Sequence, residues 1–63
     1  MKRSFDHFQA ALWYEDEARR YTALSTAAGH PRLRTSYAEL ATLHRQEANL
    51  HLAFAVENER GPG

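Results

Sequence analysis

The residues best suited to chemistry are three polar side chains at helical spacing in the second half of the chain, His44, Glu47 and His51. The surrounding segment, Leu40–His51, contains neither Gly nor Pro and consists mostly of good helix formers. Residues three and four apart are neighbours on a helix, so we expect the three side chains to lie together. Their imidazole and carboxylate groups could bind a divalent metal ion or hydrogen-bond one another.

The helix that positions this cluster carries an apolar stripe. At about 100° per residue the three polar residues share a face with apolar ones: Leu33, Tyr37, Leu40, His44, Glu47, His51 and Phe54. We therefore expect the cluster to face the core, where a polar group is costly unless it is paired, hydrogen-bonded or metal-bound. Three interpretations stay open: a metal site, a hydrogen-bonded polar layer that selects the pairing register, or a solvated face.

Length and composition limit the classes of protein. The chain has 63 residues, enough for one small domain with little interior, and domains of this size usually need disulfides, metal or partners. It has no Cys, so a disulfide framework or a thiolate site is excluded. Eight basic and eight acidic residues balance, which disfavours nucleic acid and a polybasic membrane anchor. No apolar run approaches a membrane span or a signal peptide, so we expect a cytoplasmic protein.

The pattern predicts an all-α fold: one antiparallel two-helix hairpin. Helix one is expected at about residues 5–28, with Ser4 or Asp6 as its N-cap. Asp6 with Gln9 fits the capping-box pattern, with Phe5 as its hydrophobic staple. It carries a heptad-like seam with small residues alternating with Tyr: Ala11, Tyr14, Ala18, Tyr21, Ser25 and Ala28.

The turn is predicted at residues 29–31. Gly29 suits the left-handed position after a helix end, and His30 before Pro31 is a candidate N-cap. Helix two is expected at about 31–57, followed by a disordered tail at 58–63. His7 is interpreted as a surface residue.

The apolar residues are too many for a hairpin alone. Both helices carry them on wide arcs, among them Trp13, Leu24, Leu43, Leu50 and Phe54. The simplest arrangement that covers them is a four-helix bundle made of two hairpins about a two-fold axis, so the expected partner is the chain itself, as a homodimer or higher even oligomer. The alternative is a hairpin that docks on a different protein.

Three segments resemble the first helix pair of rubrerythrins and related ferritin-like proteins. They are Glu15-Asp16-Glu17-Ala18-Arg19-Arg20-Tyr21-Thr22, Tyr37-Ala38-Glu39-Leu40-Ala41 and His44-Arg45-Gln46-Glu47-Ala48. The resemblance covers roughly residues 8–54, which is half of a ferritin-like bundle. A two-fold dimer would supply the other half, as in the encapsulated ferritins, which are also built from helix hairpins.

The resemblance implies a set of metal ligands. The metal-binding Glu of the family's helix one falls on Glu15, and its Glu-x-x-His pair falls on His44 and Glu47, in inverted order. His51 would be an added ligand or a partner of one. An imidazole cannot bridge two ions as the family's Glu does, so His44 would be a terminal ligand. The implied metals are iron, manganese or zinc, and the implied activity is iron oxidation.

Two functions follow. The first is a small homo-oligomeric helical bundle with a structural or interaction role and no catalytic residues. The alternative is a ferritin-like metal protein whose carboxylate and His site, from Glu15, His44, Glu47 and His51, is shared between subunits.

Overall fold

The structure, a computed structural model, describes residues 6–60, and their side chains as far as Asn58. Within this range the chain forms two helices and no strand, α1 at His7–Ala27 and α2 at Pro31–Arg60. The all-α class is as predicted. The tail predicted to begin at residue 58 is helical through Arg60, because nothing before Gly61 interrupts the helix-forming sequence. The proposed staple residue Phe5 and residues 61–63 lie outside the described residues.

The N-terminus of α1 is capped by Asp6, one of the two N-cap residues predicted from the sequence. Asp6 has extended backbone (φ −89°, ψ 95°), and its Oδ1 accepts a hydrogen bond of 3.1 Å from the backbone N–H of Gln9. This bond satisfies one of the N–H groups that have no partner inside the first turn.

The end of α1 differs from the prediction at Gly29. Ala28 is the C-cap residue and leaves the helix in an extended conformation (φ −66°, ψ 133°), with its N–H donating to the carbonyls of Leu24 and Ser25. Gly29 is not in the left-handed region, and no heavy atom beyond its two chain neighbours lies within 4 Å of where its Cβ would be. The prediction of a left-handed glycine is therefore wrong. The extended Ala28 already turns the chain away from the helix axis.

The start of α2 confirms His30 as the N-cap. Its Nδ1 accepts a hydrogen bond from the backbone N–H of Arg32 at 3.1 Å, and its carbonyl accepts from Arg34 at 3.0 Å. The Arg34 guanidinium donates through Nε and Nη2 to the Ala28 carbonyl, at 3.3 and 3.1 Å. Ser25 Oγ closes the turn by donating to the Arg34 carbonyl at 2.8 Å. One arginine thus ties the end of α1 to the first turn of α2.

The two helices pack along lines of alanine. The buried residues are Ala11, Ala18, Ala41, Ala48 and Ala55, exposed by 0 to 4%. They repeat every seven residues on each helix, which keeps them on the contact line of two slightly inclined helices. Small residues at such positions let the two helix backbones approach closely. The burial of Ala11 and Ala18 confirms these two positions of the seam predicted on α1.

The contact line of α2 is rotated from the predicted stripe. Ala41 and Ala48 take the centre, while Leu33, Glu47 and Phe54 are exposed. Glu47 is therefore exposed in the hairpin and lies outside its contact line. The most apolar arc of α2 lies beside the contact line, because alanine permits a closer interhelical contact than leucine or phenylalanine does.

Large apolar residues remain on the surface of the hairpin. Ten of those described are 37 to 64% exposed: Phe8, Leu12, Trp13, Leu24, Leu33, Leu43, Leu50, Leu52, Phe54 and Val56. Neither helix, within the part of the chain that the structure describes, has the length and apolar character needed to cross a lipid bilayer.

Candidate functional site

Aromatic and imidazole rings occupy the heptad positions that alternate with the alanines. On α1 these residues are His7, Tyr14 and Tyr21, and on α2 they are Tyr37, His44 and His51. All six are half-buried. Because they repeat every seven residues, like the alanines, they form a row beside the contact line, which we call the ring ladder.

The ring ladder shows the antiparallel register of the hairpin. His7 lies opposite His51 with ring centres 5.1 Å apart, and Tyr21 lies opposite Tyr37 at 6.1 Å. Between them, the Tyr14 ring contacts His44 at 5.7 Å and His51 at 5.4 Å. His51 and Tyr14 are nearly parallel, with 11° between their planes, so the imidazole is held flat against the phenol ring.

His7 and His51 share a hydrogen bond across the open end of the hairpin. Their Nδ1 atoms are 2.8 Å apart, and one nitrogen must donate while the other accepts. The ring centres are 5.1 Å apart. This distance exceeds the Nδ1–Nδ1 distance by about the sum of the two ring radii, so both nitrogens lie close to the line that joins the ring centres. The interpretation of His7 as a surface residue is wrong. The heptad spacing of the α1 seam, extended by seven residues from Tyr14 towards the N-terminus, falls on His7.

The His44 imidazole hydrogen-bonds to its own helix. Its Nδ1 is 2.8 Å from the Leu40 carbonyl, and because a carbonyl only accepts, this nitrogen donates. The ring lies among Tyr14, Tyr21 and Trp13, with centres 5.1 to 6.3 Å away. His44 is therefore engaged with its own helix and with the aromatic rings of α1.

Glu47 and His51 are the one pair of the four predicted site residues that the structure brings together. Glu47 Oε1 is 4.0 Å from His51 Nε2; the carboxylate side chain is 51% exposed and the imidazole 17%. Glu15 instead lies 3.7 Å from the Arg19 guanidinium, one turn further along α1, where both side chains are exposed to solvent. Such a surface pair contributes little to stability.

The described residues form no single cluster of metal ligands. Among the side chains that the structure describes, residues 6–58, no group of three or more His, Asp or Glu is placed to hold a metal ion. The ring ladder offers stacking, hydrogen bonds and one imidazole pair, and the alanines between its rings set the spacing of the helices. Comparisons of the chain with protein-family models, with curated proteins and with solved structures find no match.

Proposed function

We propose that the protein is a self-associating helical hairpin with a structural or interaction role, in which two copies pack into a four-helix bundle. The observation that carries the proposal is the contrast between its interior and its surface. Among the residues whose side chains the structure describes, the buried ones are all alanine, whereas ten large apolar residues are 37 to 64% exposed. A hairpin with this distribution has most of its hydrophobic free energy still available for association.

The magnitude of that free energy favours association over a lone hairpin. Full burial of one Leu or Phe side chain stabilises by about 1.5–3 kcal/mol, and several such side chains are still half-exposed here. Alanine has little side-chain area to bury, so the contact line between α1 and α2 contributes much less per residue. A chain below about 70–80 residues rarely reaches useful stability on so small a core.

One side of the hairpin suits a second copy better than the other. On α2, Leu40, Leu43, Leu50 and Phe54 fall on the wheel beside the ring ladder and make a stripe along much of the helix. On α1, Trp13 lies against His44, which places the indole on the same side of the hairpin. We call this surface the wide face.

The opposite side carries a shorter apolar patch near the open end of the hairpin. It consists of Phe8 and Leu12 on α1 and Leu52 and Val56 on α2, which the wheel places across the contact line from the wide face. The wide face extends further along the helices, so it offers the longer contact for a partner helix pair.

The charge balance also fits association with a second copy. The formal net charge of the chain is zero, so two copies do not repel one another through net charge. A two-fold axis pairs each surface patch with itself, so the Leu, Phe and Trp side chains of the wide face would meet their own counterparts, with the Glu47 position of the same stripe among them.

The test is the mass of the folded protein as a function of concentration. Light scattering and sedimentation equilibrium should give twice the subunit mass, or an even multiple of it, and the melting temperature should rise with protein concentration because folding and association are linked. A mass of one subunit in a fully helical sample, over a hundredfold range of concentration, would refute self-association and leave a different protein as the partner of the wide face.

A further inference from the structure

We propose that His7 and His51 form a two-imidazole site for a borderline divalent transition-metal ion such as Zn²⁺, which fastens the open end of the hairpin. The two residues are 44 positions apart in the sequence and lie on different helices. This inference does not depend on self-association, because both ligands belong to one chain.

The separation of the two Nδ1 atoms is close to what a shared metal ion needs. They are 2.8 Å apart. Zn–N bonds of about 2.0–2.1 Å at a tetrahedral ion place two ligand nitrogens about half an ångström further apart. A small rotation of each ring toward a common point would replace the shared proton by the ion.

The surrounding rings hold both imidazoles near this arrangement. Tyr14 lies almost parallel to His51, and the Phe54 ring lies 5.3 Å from that of His7, tilted by 48°. Packing on both imidazoles limits the rotamers they can adopt, so less conformational entropy is lost when an ion binds.

Glu47 lies on the opposite side of the His51 ring from His7 and the proposed ion. Its Oε1 is 4.0 Å from Nε2, the nitrogen that does not face His7. At this distance the carboxylate acts on the imidazole through its negative charge, which favours a ring that binds a cation and would draw the two groups into hydrogen-bond contact. Glu47 would therefore be a positioning residue and not a ligand.

The ligand type selects the class of ion. Neutral imidazole suits Zn²⁺, Cu²⁺ and Ni²⁺, whereas Mg²⁺ and Ca²⁺ take oxygen ligands. Two protein ligands leave the remaining positions to water, so we expect a weaker site than a closed structural one. We do not place His44 in the site, because its ring lies among Tyr14, Tyr21 and Trp13, further along the ring ladder towards the turn.

The position of the pair explains what the ion would do. The turn at residues 28–30 joins the helices at one end, and His7 and His51 face each other towards the other. The chain has no Cys with which to crosslink that end. An ion that binds only the folded hairpin raises its free energy of unfolding. At ion concentrations above Kd this increase grows with the logarithm of the concentration.

The experiment is a metal titration of the full chain at neutral pH, with unfolding followed by circular dichroism and binding followed by calorimetry. Zn²⁺ and Ni²⁺ should raise the melting temperature of the chelator-treated protein, and Mg²⁺ should not. H7Q and H51Q should each abolish the rise, while H44Q, the matched control on the same seam, should keep it. E47Q should keep the rise with an affinity weakened by about tenfold.

The readout is the change in melting temperature that each variant shows when metal is added. This change can still be measured if a variant is less stable than the wild type without metal. The proposal is overturned if the melting temperature of the wild type does not shift with millimolar Zn²⁺, or if those of H7Q and H51Q shift as much as that of the wild type.

Light scattering on the same samples separates the metal site from self-association. A Zn²⁺-dependent shift in a protein of one-subunit mass upholds the metal site and refutes self-association. A mass increase that needs Zn²⁺, with a calorimetric stoichiometry of one ion per two chains, shows an ion bridging two chains and overturns the site within one hairpin.

Discussion

Trp13 lies against the imidazole of His44, with 6.3 Å between ring centres, yet the residue remains 56% exposed. One side of the indole thus covers the ring ladder and the other faces away from the hairpin. The chain has a single Trp, so its fluorescence reports on this one position at the edge of the wide face.

If the wide face is buried by a second copy, dilution should change the environment of Trp13. We expect its emission to move to longer wavelength as the protein dissociates, because the exposed half of the indole enters water. The check is a dilution series with far-ultraviolet circular dichroism on the same samples. An emission maximum that stays constant while scattering shows dissociation would place the interface on another face.

Leu50 should contribute to association and little to the hairpin itself. It is 49% exposed and lies on the wide face, so Leu50→Gln removes apolar area that only a partner would cover. We expect at least about a tenfold weaker dimer, since about 1.4 kcal/mol corresponds to a factor of ten. Ala53→Gln, an exposed position away from both the contact line and the wide face, is the control and should leave the dimer unchanged. Equal effects of the two changes would contradict the assignment.

Ala48 is 0% exposed at the contact line, so a larger side chain there must push the helices apart. Ala48→Leu should lower the free energy of unfolding by about 1–3 kcal/mol, the usual cost of overpacking. Ala53→Leu adds the same atoms at an exposed position and should change the free energy of unfolding by about 0.5 kcal/mol or less. Urea denaturation of both variants at one protein concentration measures the difference.

Gly29 should tolerate alanine. Its backbone is outside the left-handed region, and the space around its Cβ position is open. Gly29→Ala should therefore leave the folded hairpin unstrained and raise its stability by about 0.4–1 kcal/mol, because alanine reduces the conformational entropy of the unfolded chain. Thermal unfolding is the measurement, and a melting temperature several degrees below that of the wild type would show a left-handed glycine after all.

His30 should stabilise α2 through its side chain. Its Nδ1 accepts from the Arg32 N–H, so His30→Ala leaves that donor to water and should cost about 1 kcal/mol. His30→Asn keeps a side-chain acceptor at the N-cap and should be neutral or stabilising. If the alanine and asparagine variants unfold at the same denaturant concentration, the cap contributes nothing.

Local features of this chain could be predicted from the sequence because short-range chemistry decides them. Asp6 and His30 are helix caps, since each offers an acceptor within two or three residues of an orphan N–H. The seam on α1 was predictable at Ala11 and Ala18 because heptad spacing alone aligns them. The capping function of Arg34 was missed, because a long side chain that reaches back six residues leaves no signal in composition.

The tertiary structure decided which face of α2 meets α1. From the sequence, the arc with the most leucine and phenylalanine was the expected contact, with His44, Glu47 and His51 inside it. The close approach of two helices instead selects the smallest side chains, so Ala41 and Ala48 take the contact line and Glu47 turns to solvent. The same register brings His7 to His51, a pairing across 44 residues that no local pattern specifies, because it depends on where the turn falls and how the helices align.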